Sequence, residues 1–297
     1  AISLALADDA APRRFDIAVP LALALAAGTL AAVVLFAHRM TRVMRSDEMV
    51  ARLAGAFTGA VRRLIAGPAG CTALRLPGAA RAVLDEELAG AAVIRAGEAG
   101  HVARIDHAGL VALAERHDLV IALAVRENDH LLPGMALARV LGMHPDGAVA
   151  AGDIAALVEL ADRRVPAEGA DYEAAALSEA ALRALSPGIN DPASALACLN
   201  GLAEGIAILA AEGPPPDVLG GPGRVARLVL PPKRAGDFLE AAVLPVAVAG
   251  QGDYRVRARL DLLLAHLGGL AAVADDRRAI EGFRLRVGAR ADAAFGD

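Results

Sequence analysis

The stretch "ALRALSPGINDPASALACLN", residues 181–200, joins two apolar helical segments through a polar and rigid turn. Pro187 cannot continue a helix, and the residue before a proline is pushed out of helical backbone angles, so we expect the first helix to end near Leu185. Asn190 or Asp191 can cap the next helix, with Pro192 at its first position, where proline is favoured. The turn therefore predicts a tight corner between two helices.

The helices on both sides of this corner follow from the residues around it. Residues 173–185, "EAAALSEAALRAL", are strong helix formers. Gly188 can take a positive φ and close the first helix, and Ile189, the only apolar residue of the turn, is expected to enter the core. The second helix places one apolar face toward the core, formed by Leu196, Leu199, Leu202, Ile206 and Leu209.

The corner carries more polar groups than one helix cap requires. Ser186, Asn190, Asp191 and Ser194 lie within nine residues, beside the unpaired backbone N–H groups of a helix start. Such a helix end attracts anions or the carboxylates of a partner. Two interpretations stay open: a structural corner, or a site for a ligand or partner.

The overall composition excludes several classes of protein. The net charge of −5 argues against a nucleic-acid binder, which usually carries a basic face. Cys71 and Cys198 lie far apart, which fits a reducing compartment and excludes a disulfide scaffold or zinc ribbon. No cofactor motif is present: the glycines of residues 212–227 do not fit a dinucleotide or phosphate-binding pattern.

A membrane helix is predicted over Ile17–Ala37, "IAVPLALALAAGTLAAVVLFA", which contains no charge. At 1.5 Å per residue it spans roughly 30 Å, the thickness of a hydrocarbon core. The alternative is the buried core helix of a soluble protein. Basic residues follow it at once (His38, Arg39, Arg42 and Arg45), which places its C-terminal end in the cytoplasm. Residues 1–14 then form the end of an earlier membrane helix and an outer loop.

The same helix is predicted to run on as a stem beyond the membrane. An apolar stripe recurs at spacings of three, four and seven residues, formed by Val43, Val50, Leu53, Phe57, Val61 and Leu64. The stripe either packs on the chain's own domain or packs against copies of itself.

Residues 100–143 predict a small β-rich module. The segment "HVARI" alternates as a strand does, "AGLVALAERH" is helical, and "LVIALAV" is apolar enough for a buried strand. Two turns five residues apart resemble the barrel-sandwich modules of lipoyl carriers, but the module has no lysine to carry a lipoyl group. Histidines and acids cluster there without HxH or HExxH spacing, so solvated side chains are favoured over a metal site.

The tail after residue 212 is predicted to be mainly helical. A Pro/Gly-rich loop leads to a strand in "RVARLVLP", a helix with a proline break in "AGDFLEAAVLPVAVAG", and two final amphipathic helices.

The motif "ALRALSPGINDP" resembles the signature of a bacterial family of predicted membrane proteins, domain of unknown function 2254. Further matches are Ile105–Asp106, Leu119–Ile121 and Pro133–Gly134, and the likeness runs the length of the chain. The resemblance implies N-terminal membrane helices, a basic cytoplasmic stem and an unknown activity. This chain would begin near the end of the family's third membrane helix.

The sequence departs from this resemblance at two places. The family usually has "PGDFV" at the first β turn, where this chain has Glu127–Leu131. Before the corner, "RRVPAEGADY" keeps Arg164 and Tyr172 but not the family's other polar residues. We therefore take Ser186, Asn190, Asp191, Ser194, Arg164 and Tyr172 as the candidate ligand or partner site, with no catalytic residue and no metal.

The predicted fold is α+β and mostly helical, with a transmembrane helix and basic stem, a barrel-sandwich-like module and a C-terminal helical domain. The predicted division is residues 1–14, 15–66 (transmembrane helix and stem), 67–99 (connector), 100–143 (β module), 147–211 (helical SPGINDP region) and 212–297 (tail).

The predicted function is a non-enzymatic integral protein of the bacterial inner membrane, an oligomeric pore or regulator with its other part in the cytoplasm. Its partners would be the lipid bilayer and copies of itself, with no nucleic acid and an unknown small-molecule ligand. The alternatives are a ligand-sensing or scaffolding protein that uses the corner, and an enzyme that uses Asp191 with Asp171 or Glu173.

Overall fold

The computed structural model describes residues 20–35, 46–142, 148–163 and 169–293. The chain divides into a small unit, residues 1–49, and a large unit, residues 50–297. The fold is mostly helical (60%) with sheets of mixed strand direction, which confirms the predicted class in its coarse form.

In the small unit, α1 (Pro20–Leu35) is an apolar helix whose described residues are all exposed. Leu23, Leu25 and Leu30 each expose about two thirds of their surface (66%, 64% and 67%). The predicted membrane helix is thus helical where it is described; residues 17–19 and 36–37 lie outside the described residues. Among the described residues, the one helix that is long and apolar enough to cross a membrane is Pro192–Glu212, and 56% of its apolar window is buried.

Helix α2 (Ser46–Ala66) carries the stem's apolar stripe into the core of the large unit. Phe57 and Val61 are fully buried and Val50 is 7% exposed, while Leu53 and Leu64 pack against them. The stripe therefore packs on the chain's own domain, and the stem–stem interpretation is wrong for this face. Val43, the first residue of the predicted stripe, lies outside the described residues.

The helical core of the large unit surrounds α7 (Pro192–Glu212), the helix after the corner. Leu199, Leu202, Ile206 and Leu209 are buried as predicted. The other helices of this core are α6 (Ala170–Ala184), α8 (Ala235–Phe238), a π-helical segment (Leu239–Val243), α9 (Leu244–Ala249), α10 (Tyr254–Leu270) and α11 (Ala274–Ala293). The predicted proline break in the tail is thus a π segment before Pro245, with helix on both sides.

Two glycines let α7 approach α2 closely. A Cβ added at Gly205 would lie 2.2 Å from the ring of Phe57, and one at Gly201 would lie 2.7 Å from the Cβ of Ala54. Because Phe57 is fully buried and its ring packs edge-on against Phe238, with 5.4 Å between the ring centroids, it has no room to yield. Helix α7 is apolar because it packs in the core, although its length and composition resemble those of a membrane helix.

The strands form two open sheets. The larger has the order β1-β8-β9-β4-β6-β2, antiparallel except for the parallel pair β4–β9, and the smaller has the order β5-β3-β7. The strands are β1 (Thr72–Leu74), β2 (Ala92–Arg95), β3 (Gly100–Ile105), β4 (Val120–Leu123), β5 (His130–Leu131), β6 (Ala136–Leu141), β7 (Val158–Ala161), β8 (Val218–Gly220) and β9 (Leu228–Val229). Helices α3 (Gly78–Ala89), α4 (His107–His117) and α5 (Ala148–Ala156) complete the described elements.

The predicted strand–helix–strand order of the β module is confirmed by β3, α4 and β4. The described strands form no closed barrel and divide between two sheets, and the finer barrel-sandwich layout of the module stays a prediction. Strands outside residues 100–143 complete the larger sheet: β2 pairs with β6, and β9 pairs with β4. Residues 100–143 are too short to form a sheet with both faces buried, so strands from the connector and the tail complete the sheet.

Candidate functional site

The SPGINDP corner satisfies its own polar groups. Helix α6 ends at Ala184 as predicted, and the Ser186 hydroxyl donates to the carbonyl of Arg183 at 2.7 Å. Asp191 caps α7: its carboxylate accepts from the backbone N–H of Ser194 at 3.2 Å and from the Ser194 hydroxyl at 2.6 Å. The bond from that hydroxyl, with the backbone N–H, lowers the pKa of Asp191. Ser186, Asp191 and Ser194 therefore bond within the corner, at the end of α6 and the start of α7.

Two details of the corner differ from the prediction. Asn190, and not Gly188, takes the positive φ, at 47°. Asparagine tolerates this region because its short polar side chain adds little steric cost. Ile189 is 55% exposed and does not enter the core. Both differences have one cause: the backbone bonds from the N–H groups of Ile189 and Asn190 to the carbonyl of Ser186 turn this part of the loop outward.

Of the residues predicted to join the corner, Tyr172 lies at the opposite end of α6 from it. Tyr172 is half-buried in the first turn of α6, and Arg164 lies outside the described residues. Helix α6 separates Asp171 from Asp191 by about 20 Å, at 1.5 Å per residue. Asp191 therefore cannot share a proton with Asp171 or Glu173, which removes the acid–base pair on which the enzyme alternative rested.

The histidines of the β module also remain dispersed. His101 and His130 pair across β3 and β5, with 4.6 Å between ring centroids. His107 and His117 lie at opposite ends of α4. In the parts of the chain that the structure describes, no group of three or more His, Cys, Asp or Glu residues is placed to hold a metal ion.

A cavity of about 330 Å³ lies in the large unit, between the end of α2, the start of α6 and the ends of β3 and β4. Its apolar wall is formed by Ala60, Leu64, Ile105, Leu123, Val125, Leu230 and four prolines, Pro68, Pro215, Pro216 and Pro231. Its ionisable side chains are Arg63, His107, Arg126, Glu127, Asp171, Asp217 and Lys233. The lining residues come from six separate parts of the sequence, so no local motif predicts the cavity.

Lys233 is the central charged group of this cavity. It is the only lysine of the sequence and is 7% exposed. Its ammonium forms an ion pair with Asp171 and lies 4.4 Å from the centroid of the Phe238 ring. A carboxylate and an aromatic face both stabilise a positive charge. Lys233 is therefore placed as a cation and not as a nucleophilic amine.

The wall that carries Lys233 is fixed at several points. Arg126 donates to the carbonyl of Pro232, and Arg234 lies 3.6 Å from the buried carboxylate of Asp276 on α11. Prolines on both sides of the cavity further limit the backbone. The cavity is thus largely preformed, as ligand sites usually are.

Two further side chains face the cavity from the β region. His107, the first residue of α4, is half-buried, and burial lowers its pKa against the opposing effect of Glu127 and Asp106. Glu127 accepts from the backbone N–H of Ile105 at 3.3 Å. His107 is therefore neutral near pH 7, and Glu127 already has one donor.

The two segments that depart from the family resemblance both reach this cavity. Glu127 and Asn128 belong to the first, and Gly169, Ala170 and Asp171 belong to the second. Sequence reasoning missed Lys233, Arg63 and Arg126 as site residues. One signal was available: a single lysine in a chain with 30 basic residues, set between "LPP" and an arginine.

The comparisons with known proteins agree with the resemblance. The family model described as "Predicted membrane protein (DUF2254)" matches residues 2–266, and the chain belongs to this family. No curated protein and no solved structure matches the chain.

Proposed function

We propose that this member of the family is a membrane-anchored receptor for a small molecule, which regulates through its stem helix. The observation that carries the proposal is the preformed cavity of about 330 Å³ with the Lys233–Asp171 ion pair in its wall. Ligand sites typically measure about 300–1,000 Å³ and combine an apolar lining with a few placed polar groups. A buried ammonium such as that of Lys233 is costly to maintain for stability alone.

The anchor in this proposal is α1. Its described residues are apolar or small, apart from one threonine, and exposed on every side. A helix that is apolar all round is covered by lipid or by other helices. The sequence after it, with Arg39, Arg42 and Arg45, supports a cytoplasmic large unit at a bacterial inner membrane.

The stem helix α2 supports a regulatory role. Ala60, Arg63 and Leu64, in its last two turns, line the cavity. Its first residues follow the segment after α1 directly in the sequence. A ligand that binds one position of α2 more tightly than another would shift the balance between them.

The receptor proposal is tested with a library of small fragments, screened by ligand-observed NMR on the full chain in lipid nanodiscs. Leu64→Trp places a large ring in the cavity, and Leu53→Trp makes the same change on the same helix outside it. We expect a set of fragments whose binding is lost in Leu64→Trp and kept in Leu53→Trp. If the two variants bind the same fragments as the parent chain, the cavity is not a ligand site.

The anchor is tested by alkaline extraction of membranes. Aspartate at both Leu25 and Leu30 is expected to release the protein, because each costs about 2.5–3.5 kcal/mol near the middle of a membrane helix. Met49→Asp, at another exposed apolar position outside α1, should leave the protein in the membrane. If the double variant stays in the membrane after alkaline extraction, α1 is not the anchor.

A homo-oligomeric pore is the second candidate function. The exposed leucines of α1 favour it, since they can pack on copies of the helix as well as on lipid. The stripe on α2 no longer favours it, because that stripe lies in the chain's own core. Light scattering of the full-length protein in detergent, followed by ion flux in liposomes, tests this candidate; a monomer without flux would end it.

A further inference from the structure

The charged side chains of the cavity wall are engaged within the protein. Among the described residues, three basic and three acidic side chains line the cavity: Arg63, Arg126, Lys233, Glu127, Asp171 and Asp217. Lys233 pairs with Asp171, and Asp217 pairs with Arg81 of α3. Two of the three carboxylates therefore already have a basic partner in the chain.

The other charged side chains of the wall have partners as well. The Arg126 guanidinium donates to the carbonyl of Pro232, and Arg63 has an interaction partner of its own in the protein. Glu127 accepts from the backbone N–H of Ile105 at 3.3 Å. An ionic ligand would have to displace one of these partners or remain buried without a countercharge, and both are unfavourable.

The wall also carries uncharged polar side chains, those of His107 and Asn128. His107 is neutral near pH 7, because burial lowers its pKa. A neutral imidazole has one donor and one acceptor nitrogen, and a side-chain amide also offers both. A ligand hydroxyl, which donates and accepts, can bond to such groups without displacing an ion pair.

The remainder of the wall is apolar, formed by alanine, leucines, valine, isoleucine and four prolines. A ligand would gain affinity there by removing an apolar body from water. The volume of about 330 Å³ is near the lower end of the usual range for ligand sites, about 300–1,000 Å³. The body that fits is therefore compact.

Resting on the receptor function proposed above, we propose that the ligand is an uncharged, compact apolar molecule with a hydroxyl group. Its body would lie against Leu64, Leu123 and Leu230, and its hydroxyl would bond to His107. The ion pairs of the wall stay intact when such a ligand binds.

The test compares three probes with one body: 4-(trifluoromethyl)benzyl alcohol, which is neutral, 4-(trifluoromethyl)benzoate, an anion, and 4-(trifluoromethyl)benzylamine, a cation near pH 7. The same three groups on 6-(trifluoromethyl)naphthalene supply a larger body. Binding to the full chain is followed by fluorine NMR in nanodiscs of phosphatidylcholine. Because neutral probes also dissolve in the bilayer, only the binding that Leu64→Trp removes is counted.

At least one alcohol is expected to bind about tenfold or more tightly than the acid and the amine with the same body, since it buries no charge. An acid or an amine that binds as tightly as its alcohol would overturn the proposal. The absence of Leu64→Trp-sensitive binding for both alcohols would overturn it as well.

Two histidines of α4 test the place of the hydroxyl. His107 lines the cavity, whereas His117 is exposed at the other end of the helix. His107→Leu should weaken binding of the alcohol about fivefold, the value of one hydrogen bond, and leave binding of 4-(trifluoromethyl)toluene, which has no hydroxyl, unchanged. His117→Leu should change neither. Equal effects of His107→Leu on the two probes would contradict a bond to the hydroxyl.

Failure of the ligand class is distinguishable from failure of the receptor function. If the ligand class is wrong, the fragment screen finds fragments sensitive to Leu64→Trp, but they are ions or lack a hydroxyl. If the receptor function is wrong, the screen finds no fragments of this kind.

Discussion

The SPGINDP corner and the Lys233 cavity are both rich in polar groups, but they use them differently. In the corner, Ser186, Asp191 and Ser194 bond to one another or to the adjacent backbone. In the cavity, Lys233, Arg63 and Arg126 line an open volume together with the carboxylates of Glu127, Asp171 and Asp217. The corner is a dense local motif whose side chains serve the helix ends; the cavity is lined by charged side chains that meet only after folding.

The difference teaches where a site should be sought in such a chain. A compact polar motif beside a proline is accounted for by helix ends, whose N–H and carbonyl groups need partners. A cavity is formed by residues that meet only after folding, so the sequence scatters its members.

The largest effect is expected from breaking the ion pair of the cavity. Asp171→Ala leaves the Lys233 ammonium buried without its carboxylate, at a cost of about 3 kcal/mol in the free energy of unfolding. Lys233→Met should cost less, about 1–2 kcal/mol, because Asp171 has 39% of its side chain exposed to water. Chemical denaturation of both variants measures the asymmetry.

The double variant Asp171→Ala with Lys233→Met is the control for that asymmetry. It should be more stable than the sum of the single losses indicates, because neither charge is then left unpaired. Strictly additive losses would mean that the two side chains act independently, against the geometry of the cavity wall.

The second effect concerns two glycines of the helix pair that the corner joins. Gly205→Ala should cost about 3 kcal/mol, since its Cβ would overlap the fixed ring of Phe57. Gly188→Ala should change stability by less than about 0.5 kcal/mol, because no atom lies within 4 Å of that Cβ and no positive φ is required. A large loss at Gly188 would show that the corner is under a constraint that its capping bonds do not explain.

The third effect is the loss of a helix cap. Asp191→Ala removes both bonds from Ser194 and should cost about 1 kcal/mol, with ligand binding in the cavity unchanged. Because the pKa of Asp191 is lowered in the folded protein, its contribution is present above the ordinary value near 3.8 and is lost as pH falls through the lowered pKa. In acid unfolding, the stabilities of parent and variant should therefore converge at low pH. If the variant loses ligand binding, the corner is part of a binding site.

The smallest effect is a pH dependence of the cavity wall. Because burial lowers the pKa of His107, the unfolded chain takes up the proton first, and stability falls as pH drops from 7 through 6.5 toward the folded pKa. His107→Gln should flatten this part of the stability curve. His117→Gln, at the exposed end of the same helix, should leave it unchanged; identical curves for all three proteins would contradict a neutral, buried His107.

The elements with a strong local pattern could be predicted from the sequence. Helix capping predicts the end of α6 and the start of α7 at Asp191, with Pro192 in its first turn. The hydrophobic period predicts the buried face of α7 and the strand–helix–strand order of residues 100–123. The packing of the α2 stripe on the chain's own core was one of two interpretations left open.

The remainder depended on contacts between distant parts of the chain. Strands β1, β8 and β9 have two or three residues each, too few for a period, and they acquire their place only through β4 and β6. Ile189 is exposed because neighbouring backbone bonds, and not its hydrophobicity, set its direction. The cavity residues lie between positions 60 and 233, so no sequence window contains them together.

Hydrogen exchange by mass spectrometry tests the central claim most directly. The full chain in nanodiscs is compared with and without the fragment that loses its binding in Leu64→Trp. We predict protection of segments 60–68, 105–128, 169–171 and 215–233, including the end of the stem helix, with no change at 186–194. Protection confined to 186–194 would place the ligand at the corner and contradict the account.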